Sequence, residues 1–287
     1  MDISVLIVNY NGAKLLTDCL DSILNNNFKG DYEVLVIDNG SLDESLSVLS
    51  VYQNRIRLIP NSHNLGFSKG NNILSKHARG DYLYLLNNDT ISQPNNLQIL
   101  YDFLKQNVSV GAVAPKLLNQ DGSLQCPGSV FGHFRFKGSV PRSVPFILGA
   151  AVMMKKQLYD EIGGLDEHYF FYNDDVDLCK TLIKKGYSIY YLPITAVTHI
   201  GGVSTKTRKI GSLVEGYRGG LYLCRKHYGR VLCFFYSFFV LIDVFLKIFI
   251  YSILFWQNKE KRAFLKGYFQ ILKIVVSHDI HWEKKNA

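Results

Sequence analysis

The 287-residue sequence predicts an α/β fold: a mostly parallel sheet flanked by helices, followed by a C-terminal helical segment that associates with membrane. Three observations support this. Short apolar runs alternate with helix-period segments through the first two thirds of the chain, as in strands joined by helical crossovers. The first run, Ser4–Val8, is continuously apolar after its serine, which suits a strand buried on both faces. Residues 231–256 form a long, mainly aromatic and aliphatic stretch.

The elements follow in order. After Ser4–Val8, residues Leu15, Leu16, Cys19, Leu20, Ile23 and Leu24 recur at helical spacing, with Asp18 and Asp21 on the other side. Strands are expected at Val34–Ile37, Ile56–Ile59, Tyr82–Leu86, Val110–Ala114, Ile147–Met154, Tyr187–Leu192 and Ala196–Thr198. Helices are expected at Phe67–Ala78, Asn95–Gln106 and Asp174–Lys185, the last closed by Gly186. Residues 119–146, glycine-rich and broken by Pro127, Pro141 and Pro145, suggest a long functional loop or lid.

Composition bounds the function. With 47% hydrophobic and 20% charged residues, the chain is not globally disordered. Its five cysteines are scattered and odd in number, against a disulfide scaffold or structural zinc and in keeping with a reducing cytosol. Ser4–Val8 is too short for a signal peptide and follows Asp2, so the body of the protein is expected in the cytoplasm.

The net charge of +8 is concentrated locally. From Lys206 to Arg230, seven Lys and Arg face Glu215 alone, giving 7 − 1 = +6. Nucleic acid, anionic lipid or a phosphorylated substrate would each answer such a patch. No nucleic-acid-binding signature accompanies it, so an anionic membrane surface is the expected partner and nucleic acid is not. The chain therefore divides into a catalytic region at 1–204, a basic helical connector at 205–230 and a membrane-associating region at 231–287.

Residues 231–256 exceed the roughly 20 needed to cross a bilayer. Asp243 and Lys247 interrupt them near the middle, spaced i,i+4. Eighteen Phe, Leu, Ile and Val at about −0.3 to −0.6 kcal/mol each give roughly −8 kcal/mol, against about +6 for the two charges. Insertion is marginal. Both flanks are basic, with Arg225, Lys226 and Arg230 before and Lys259, Lys261 and Arg262 after. A helix in the interface, or a re-entrant hairpin, keeps both flanks on the cytoplasmic face of the plasma membrane. A buried pair of core helices is the alternative.

Open parallel sheets bind ligands at the carboxyl ends of their strands. Polar residues collect there: Asn9-Tyr10-Asn11-Gly12, Asp38-Asn39-Gly40-Ser41, Asn61 to Gly66, and Asn87-Asn88-Asp89-Thr90. Turn chemistry explains each set singly. Four sets on one edge are more than turns require. There is no GxGxxG after the first strand and no GxxxxGK[ST], which excludes the usual dinucleotide and P-loop modes. Asp38 suits hydrogen bonds to a base or ribose. Asp89 is a hard oxygen ligand fit for Mg²⁺ or Mn²⁺, with Asn87 at best a weak or water-mediated contact. His199 is a further candidate ligand, although a lone histidine is more often structural.

Asp174, Asp175 and Asp177 crowd three carboxylates into four positions. Asp at a helix N-terminus gains about 0.3–1 kcal/mol from the dipole, which accounts for one or two of them. Like charges would raise the pKa of one toward that of a general base. Asp177 is expected to anchor the helix. Phe170, Phe171 and Tyr172 either stack on a ligand ring or line the core. His133 and Arg135 lie in the long loop, where solvation is the better expectation than contact with a substrate phosphate.

The segments "SVLIVNYNGAKLLTDCLDSI", "VLVIDNGSLDES", "NLGFSKGNN", "YLYLLNNDT", "GAAVMMKK", "IGGLDEHYFFYNDDVDLCKTLIKKGY" and "THIGGVS" resemble, in order and spacing, the family 2 glycosyltransferases. The nearest subgroup is similar to bacterial rhamnosyltransferase-type enzymes of O-antigen and capsule assembly. The resemblance spans residues 3–230. It implies a GT-A fold, a nucleotide-diphosphate sugar donor, Mg²⁺ or Mn²⁺, and inversion at the anomeric carbon. Asn9, Tyr10 and Asp38 then resemble the nucleoside site, and Asn64, Gly66, Phe67 and Asn72 the loop and helix closing over the donor. Asn87 and Asp89 occupy the metal-binding DxD, with an amide in its first position, and His199 matches the histidine completing the metal site. Asp175 aligns with the catalytic base. Asp174 stands where the family usually has glutamate.

The resulting expectation is an inverting, metal-dependent transferase acting on a polyprenyl-diphosphate-linked saccharide. Transfer to polyprenyl phosphate itself is one alternative. A non-catalytic sugar-nucleotide-binding membrane protein is another. A nucleotidyltransferase would need a Gly-rich, basic loop after the first strand, which Asn9–Gly12 does not supply.

Overall fold

The computed structural model describes residues 1–125, 135–201, 209–254 and 258–277. Cys126, His133, Gly202, Lys206 and Arg208, together with positions 255–256 of the apolar stretch, lie outside the described residues. The chain divides into two compact units, Met1–Asp166 with Asp175–Ser204, and Glu167–Asp174 with Thr205–Ala287.

The first unit is built on one sheet. Its strands are β1 (Ile3–Asn9), β2 (Tyr32–Asn39), β3 (Arg57–Asn61), β4 (Tyr82–Asn87), β5 (Thr90–Ser92), β6 (Val110–Leu118), β7 (Arg142–Ser143), β8 (Ala151–Lys155) and β9 (Ser188–His199). They run in the order β3-β2-β1-β4-β8-β6-β9-β5, with β7 beside β9. The helices are α1 (Ala13–Leu24), α2 (Ser45–Val51), α3 (Gly66–His77), α4 (Asn96–Gln106), α5 (Lys156–Glu161) and α6 (Asp174–Lys184).

Side-chain alternation along each strand sorts the core into two faces. Ile3, Val5 and Ile7 of β1 join Leu16, Leu20 and Ile23 of α1 and Leu97, Leu100 and Leu104 of α4. Leu6, from the same strand, joins Leu74 of α3, Tyr159 of α5 and Leu182 of α6 on the other face. Each of these leucines and isoleucines is fully buried, worth about 1.5–3 kcal/mol relative to exposure. The first turn of α1 lacks a side-chain cap of its own. Neighbouring groups satisfy it: Asp43 accepts from the Ala13 N–H at 3.1 Å and Ser45 Oγ from the Gly12 N–H at 3.1 Å.

The structure refines the sequence expectations in three places. The sheet pairs mostly in parallel, through β3-β2-β1-β4 and β6-β9, but it is mixed: β8 runs antiparallel to both β4 and β6, and β5 and β7 run antiparallel to β9. An apolar run marks a strand but carries no information on its direction. The expected strand Ile147–Met154 begins at Ala151, and the segments Tyr187–Leu192 and Ala196–Thr198 join into β9. At that join the pairing with β6 shifts from Pro115↔Leu192 to Lys116↔Ala196, an irregularity that accommodates Pro193. Within the described parts of 119–146, Phe136 and Val144 are buried on the second face while most other residues are exposed, and Leu124 bridges Leu118. Arg135 is exposed.

The second unit contains α7 (Lys209–Leu254) and α8 (Lys259–Ser277). Gly229, at φ 79° and ψ 174°, breaks α7 into two helices. Val214 and Leu221 before the break, Val240 and Val244 after it, and Tyr268, Ile271, Ile274 and Val275 of α8 form its core. The charges at Asp243 and Lys247 pair at 2.9 Å, and both hydrogen-bond the Tyr217 hydroxyl. Beyond them the helix is apolar and exposed: Phe234 is 69%, Phe239 65% and Phe249 64% accessible. In the same unit, Tyr172 and Asn173 both adopt positive φ, at 68° and 67°, uncommon for residues other than glycine. Asn173 Nδ2 donates to the Gly216 carbonyl at 3.2 Å. The Phe171 and Tyr172 rings meet edge to face at 4.4 Å.

Candidate active site

Parallel register brings the polar strand ends together. Asn9 lies opposite Asp38, Val8 opposite Asn87, and Asn39 opposite Asn61. Asn9 is fully buried and Asp38 nearly so. Asn9 Nδ2 donates to Asp38 Oδ1 at 2.8 Å and to Ser41 Oγ at 3.2 Å, while its Oδ1 accepts from Asn88 Nδ2 at 2.7 Å. Ser41 donates both its N–H and its hydroxyl to Asp38. The carboxylate is thus fixed by polar neighbours, as a buried charge requires. Tyr10 follows directly, half-buried. Gly12 completes this corner because a Cβ there would stand 2.2 Å from Asn88 Nδ2 and 2.4 Å from Asn9 Oδ1.

The next wall is the start of α3. Asn64 Oδ1 accepts from the Gly66 N–H at 2.9 Å, and Gly66 itself turns at φ 81°. Phe67 is partly buried against the second-face core. Asn72 faces inward: its Nδ2 donates to the Leu165 carbonyl at 2.8 Å, and its Oδ1 accepts from Leu165 N–H at 2.9 Å and Tyr159 hydroxyl at 2.6 Å. Its amide therefore pins the turn after α5.

Asp89 follows β4, and antiparallel pairing of Thr90 with His199 sets that histidine beside it. Asp89 Oδ1 lies 3.2 Å from His199 Nε2. That oxygen is buried and has no hydrogen-bond partner. Asn87 Nδ2 approaches the same ring nitrogen at 3.3 Å. Native proteins rarely leave a buried carboxylate oxygen unsatisfied. A hard oxygen and an imidazole nitrogen form a donor pair suited to Mg²⁺ or Mn²⁺. Among the described residues, no group of three or more His, Cys, Asp and Glu gathers to hold a metal alone.

Asp175 opens α6 from the other side of the edge. Its Oδ2 accepts from the Gly149 N–H at 3.0 Å, and its Oδ1 from the Val176 N–H at 2.8 Å. Ala150, the residue after Gly149, accepts from the Asn87 N–H at 2.9 Å. One dipeptide thus links Asp175 to the end of β4. Desolvation by burial is the largest influence on the Asp175 carboxyl and pushes it above its ordinary value, against the two backbone hydrogen bonds. Asp174 is buried and belongs to the second unit, and Asp177 is buried within α6.

Residues not singled out from the sequence also shape this edge. Ser41, Asn88 and Gly149 sit inside motifs already noted, so only their bonding was hidden. Gln125 carried no signal, since its contact reaches across 74 positions.

The family model described as glycosyl transferase family 2 matches residues 4–163. The N-acetylglucosaminyl-diphospho-decaprenol L-rhamnosyltransferase of Mycobacterium tuberculosis H37Rv is 25% identical over 232 residues, covering 68% of this chain and 76% of the relative. The O-antigen biosynthesis protein RfbC of Myxococcus xanthus is 27% identical over 229 residues, 72% of this chain and 18% of the relative. The chain likewise spans only 24% of a 26% identical protein of Sinorhizobium fredii. S. aureus TarS 1-349 in complex with UDP-GlcNAc superposes with a TM-score of 0.60 at 18% identity, over 80% of this chain and 68% of that one. GalNAc-T7 with UDP, GalNAc and Mn²⁺ gives 0.57 at 16% identity, over 69% and 43%. At such identities the likeness establishes the fold, GT-A, and nothing further.

Proposed function

Because the chain belongs to glycosyl transferase family 2, we propose that it is an inverting, metal-dependent enzyme of cell-surface polysaccharide synthesis. It moves a sugar from a nucleotide-diphosphate donor to a polyprenyl-diphosphate-linked saccharide. The observation that carries this reading is the Gly149–Ala150 link, which ties the half-buried carboxylate of Asp175 to the strand end bearing Asn87 and Asp89. A base and a cation site held on one rigid edge supply the orientation that group transfer needs.

Asn9, Tyr10 and Asp38 bind the nucleoside. Asn64, Gly66 and Phe67 wall the donor, with Asn72 acting through the turn it pins. Asp89 and His199 would hold Mg²⁺ or Mn²⁺, whose charge offsets that of the departing diphosphate. Asp175 takes the proton of the acceptor hydroxyl as its oxygen attacks C1 from the face opposite the diphosphate. The C1–O bond to the diphosphate breaks and the configuration inverts.

The acceptor class is supported by the name of the mycobacterial relative, which specifies a diphospho-decaprenol acceptor for that protein. It is supported too by the long helix, whose span Ile210–Ile253 is long and apolar enough to cross a membrane. The pairing of Asp243 with Lys247 lowers the cost of setting that helix against lipid. Residues 1–204 are the catalytic region, 205–230 a basic connector, and 231–287 hold the enzyme at the anionic cytoplasmic face of the plasma membrane.

A screen of UDP-, GDP- and dTDP-sugars with and without Mn²⁺, followed by incubation with each lipid acceptor, tests the reading. One nucleotide class should bind only with metal and transfer to the diphosphate-linked saccharide. Metal-independent binding, or transfer to polyprenyl phosphate alone, would overturn it.

A further inference from the structure

We propose that Gln125 is a positioning residue that keeps the His199 side-chain proton on Nδ1, so that Nε2 presents its lone pair beside Asp89 Oδ1. The proposal rests on the reading of Asp89 and His199 as cation ligands. It concerns which nitrogen of the ring is offered, a choice that the second hydrogen bond of a ligating histidine makes.

The direction of each bond can be worked out from one end of a chain of contacts. Asp121 Oδ1 only accepts as a carboxylate, so the Ser123 hydroxyl donates to it, at 2.6 Å. Having spent its proton, Ser123 Oγ accepts from Asn119 Nδ2 at 2.9 Å. That orients the Asn119 amide and leaves its Oδ1 to accept from Gln125 Nε2 at 3.1 Å. The same Nε2 also reaches the His199 carbonyl oxygen at 3.4 Å. Two acceptors on one side of Gln125 fix its amide, with Oε1 toward His199 Nδ1 at 2.7 Å. A carbonyl oxygen has no proton to give, so Nδ1 carries the hydrogen.

The other side of the ring agrees. Nε2 lies 3.2 Å from Asp89 Oδ1, yet that oxygen receives no hydrogen bond. The Asn87 amide nitrogen, a donor, points at Nε2 from 3.3 Å. A lone pair on Nε2 accepts from the Asn87 amide and leaves two lone-pair-bearing atoms, Nε2 and Asp89 Oδ1, 3.2 Å apart, an arrangement that a shared cation would stabilise.

The local fold explains why this chain holds. Asn119 N–H donates to the Ser123 carbonyl at 2.8 Å, and Gln125 N–H to the Leu117 carbonyl at 2.9 Å, closing a turn at Gly122 with φ 79°. That turn hangs on β6, which is parallel to β9, the strand that ends in His199. Residues 119–125 are therefore a bracket for the histidine.

The test uses the full-length protein, Gln125→Leu, Gln125→Glu and His199→Ala. Imidazole ¹⁵N shifts report the tautomer, with the signals missing in His199→Ala assigning the ring. Calorimetric titration with MnCl₂ alone reports the site. Wild type and Gln125→Glu, which keeps an acceptor oxygen, should show Nδ1–H. Gln125→Leu should shift population to Nε2–H and bind Mn²⁺ about tenfold more weakly or worse. A wild-type ring protonated on Nε2 overturns the proposal outright, even if Gln125→Leu does not fold. So does a folded Gln125→Leu with an unchanged tautomer. Should His199→Ala bind Mn²⁺ as wild type does, the cation reading fails instead, and the tautomer shift still decides the role of Gln125.

Discussion

Gly149 donates its backbone N–H to Asp175 Oδ2 at 3.0 Å, so the half-buried carboxylate is aimed by the chain just before β8. A Cβ at Gly149 would stand 3.2 Å from the Asp175 Cβ, which is why the amide can approach so closely.

The first prediction is a pH profile. Burial raises the Asp175 carboxyl above its ordinary 3.8, and only the ionised form accepts a proton. Activity should therefore be full above the raised value and fall as pH drops through it. In kcat/KM against pH, the acidic limb should sit above the ordinary carboxylate range. A limb near 3.8, or none, would count against Asp175 as the titrating base.

Removing the Asp89 side chain should weaken the donor only where metal matters. In calorimetry with UDP-sugar, Asp89→Ala should bind no more tightly with Mn²⁺ than without it, and EDTA should bring wild type to the same level. An Asp89→Ala protein that keeps a metal-dependent gain would sink the assignment.

Asn72 offers a contrast between structure and binding. Its amide makes three hydrogen bonds, to Leu165 and Tyr159. Asn72→Ala strands buried partners and should cost about 2 kcal/mol or more. Urea denaturation should show the loss. Stability equal to wild type, with only KM for the donor changed, would return Asn72 to direct contact.

The exposed ring face should govern membrane binding. Changing Phe234, Phe239 and Phe249 together to Ser in the intact chain leaves the internal core of Val240 and Val244 in place. Co-sedimentation with anionic vesicles should fall at least tenfold, at about 1.5–3 kcal/mol per buried ring removed. Undiminished sedimentation would exclude this face as the anchor.

Much of the architecture was legible because β-branched runs followed by Asn and Asp mark both the strands and the edge where they end. That pattern placed Asn9, Asp38 and Asp89 at the edge where the structure has them. Strand direction was not legible, since β8 enters antiparallel between β4 and β6 and an apolar run reads the same both ways. Short β5 and β7 were missed because two or three residues carry no period. At Asp175 the neighbouring carboxylates suggested a raised carboxyl, and the largest influence in that direction, burial, carries no local sequence pattern. Gln125 reaches His199 across 74 positions, a distance over which no local pattern speaks.

The most direct test of the account is transfer by Asp175→Asn under single-turnover conditions, with Mn²⁺ and the donor identified by screening. The account predicts donor affinity within about threefold of wild type and a transfer rate reduced by roughly 10²–10⁴, the usual contribution of a general base. Unchanged turnover in that protein would contradict it.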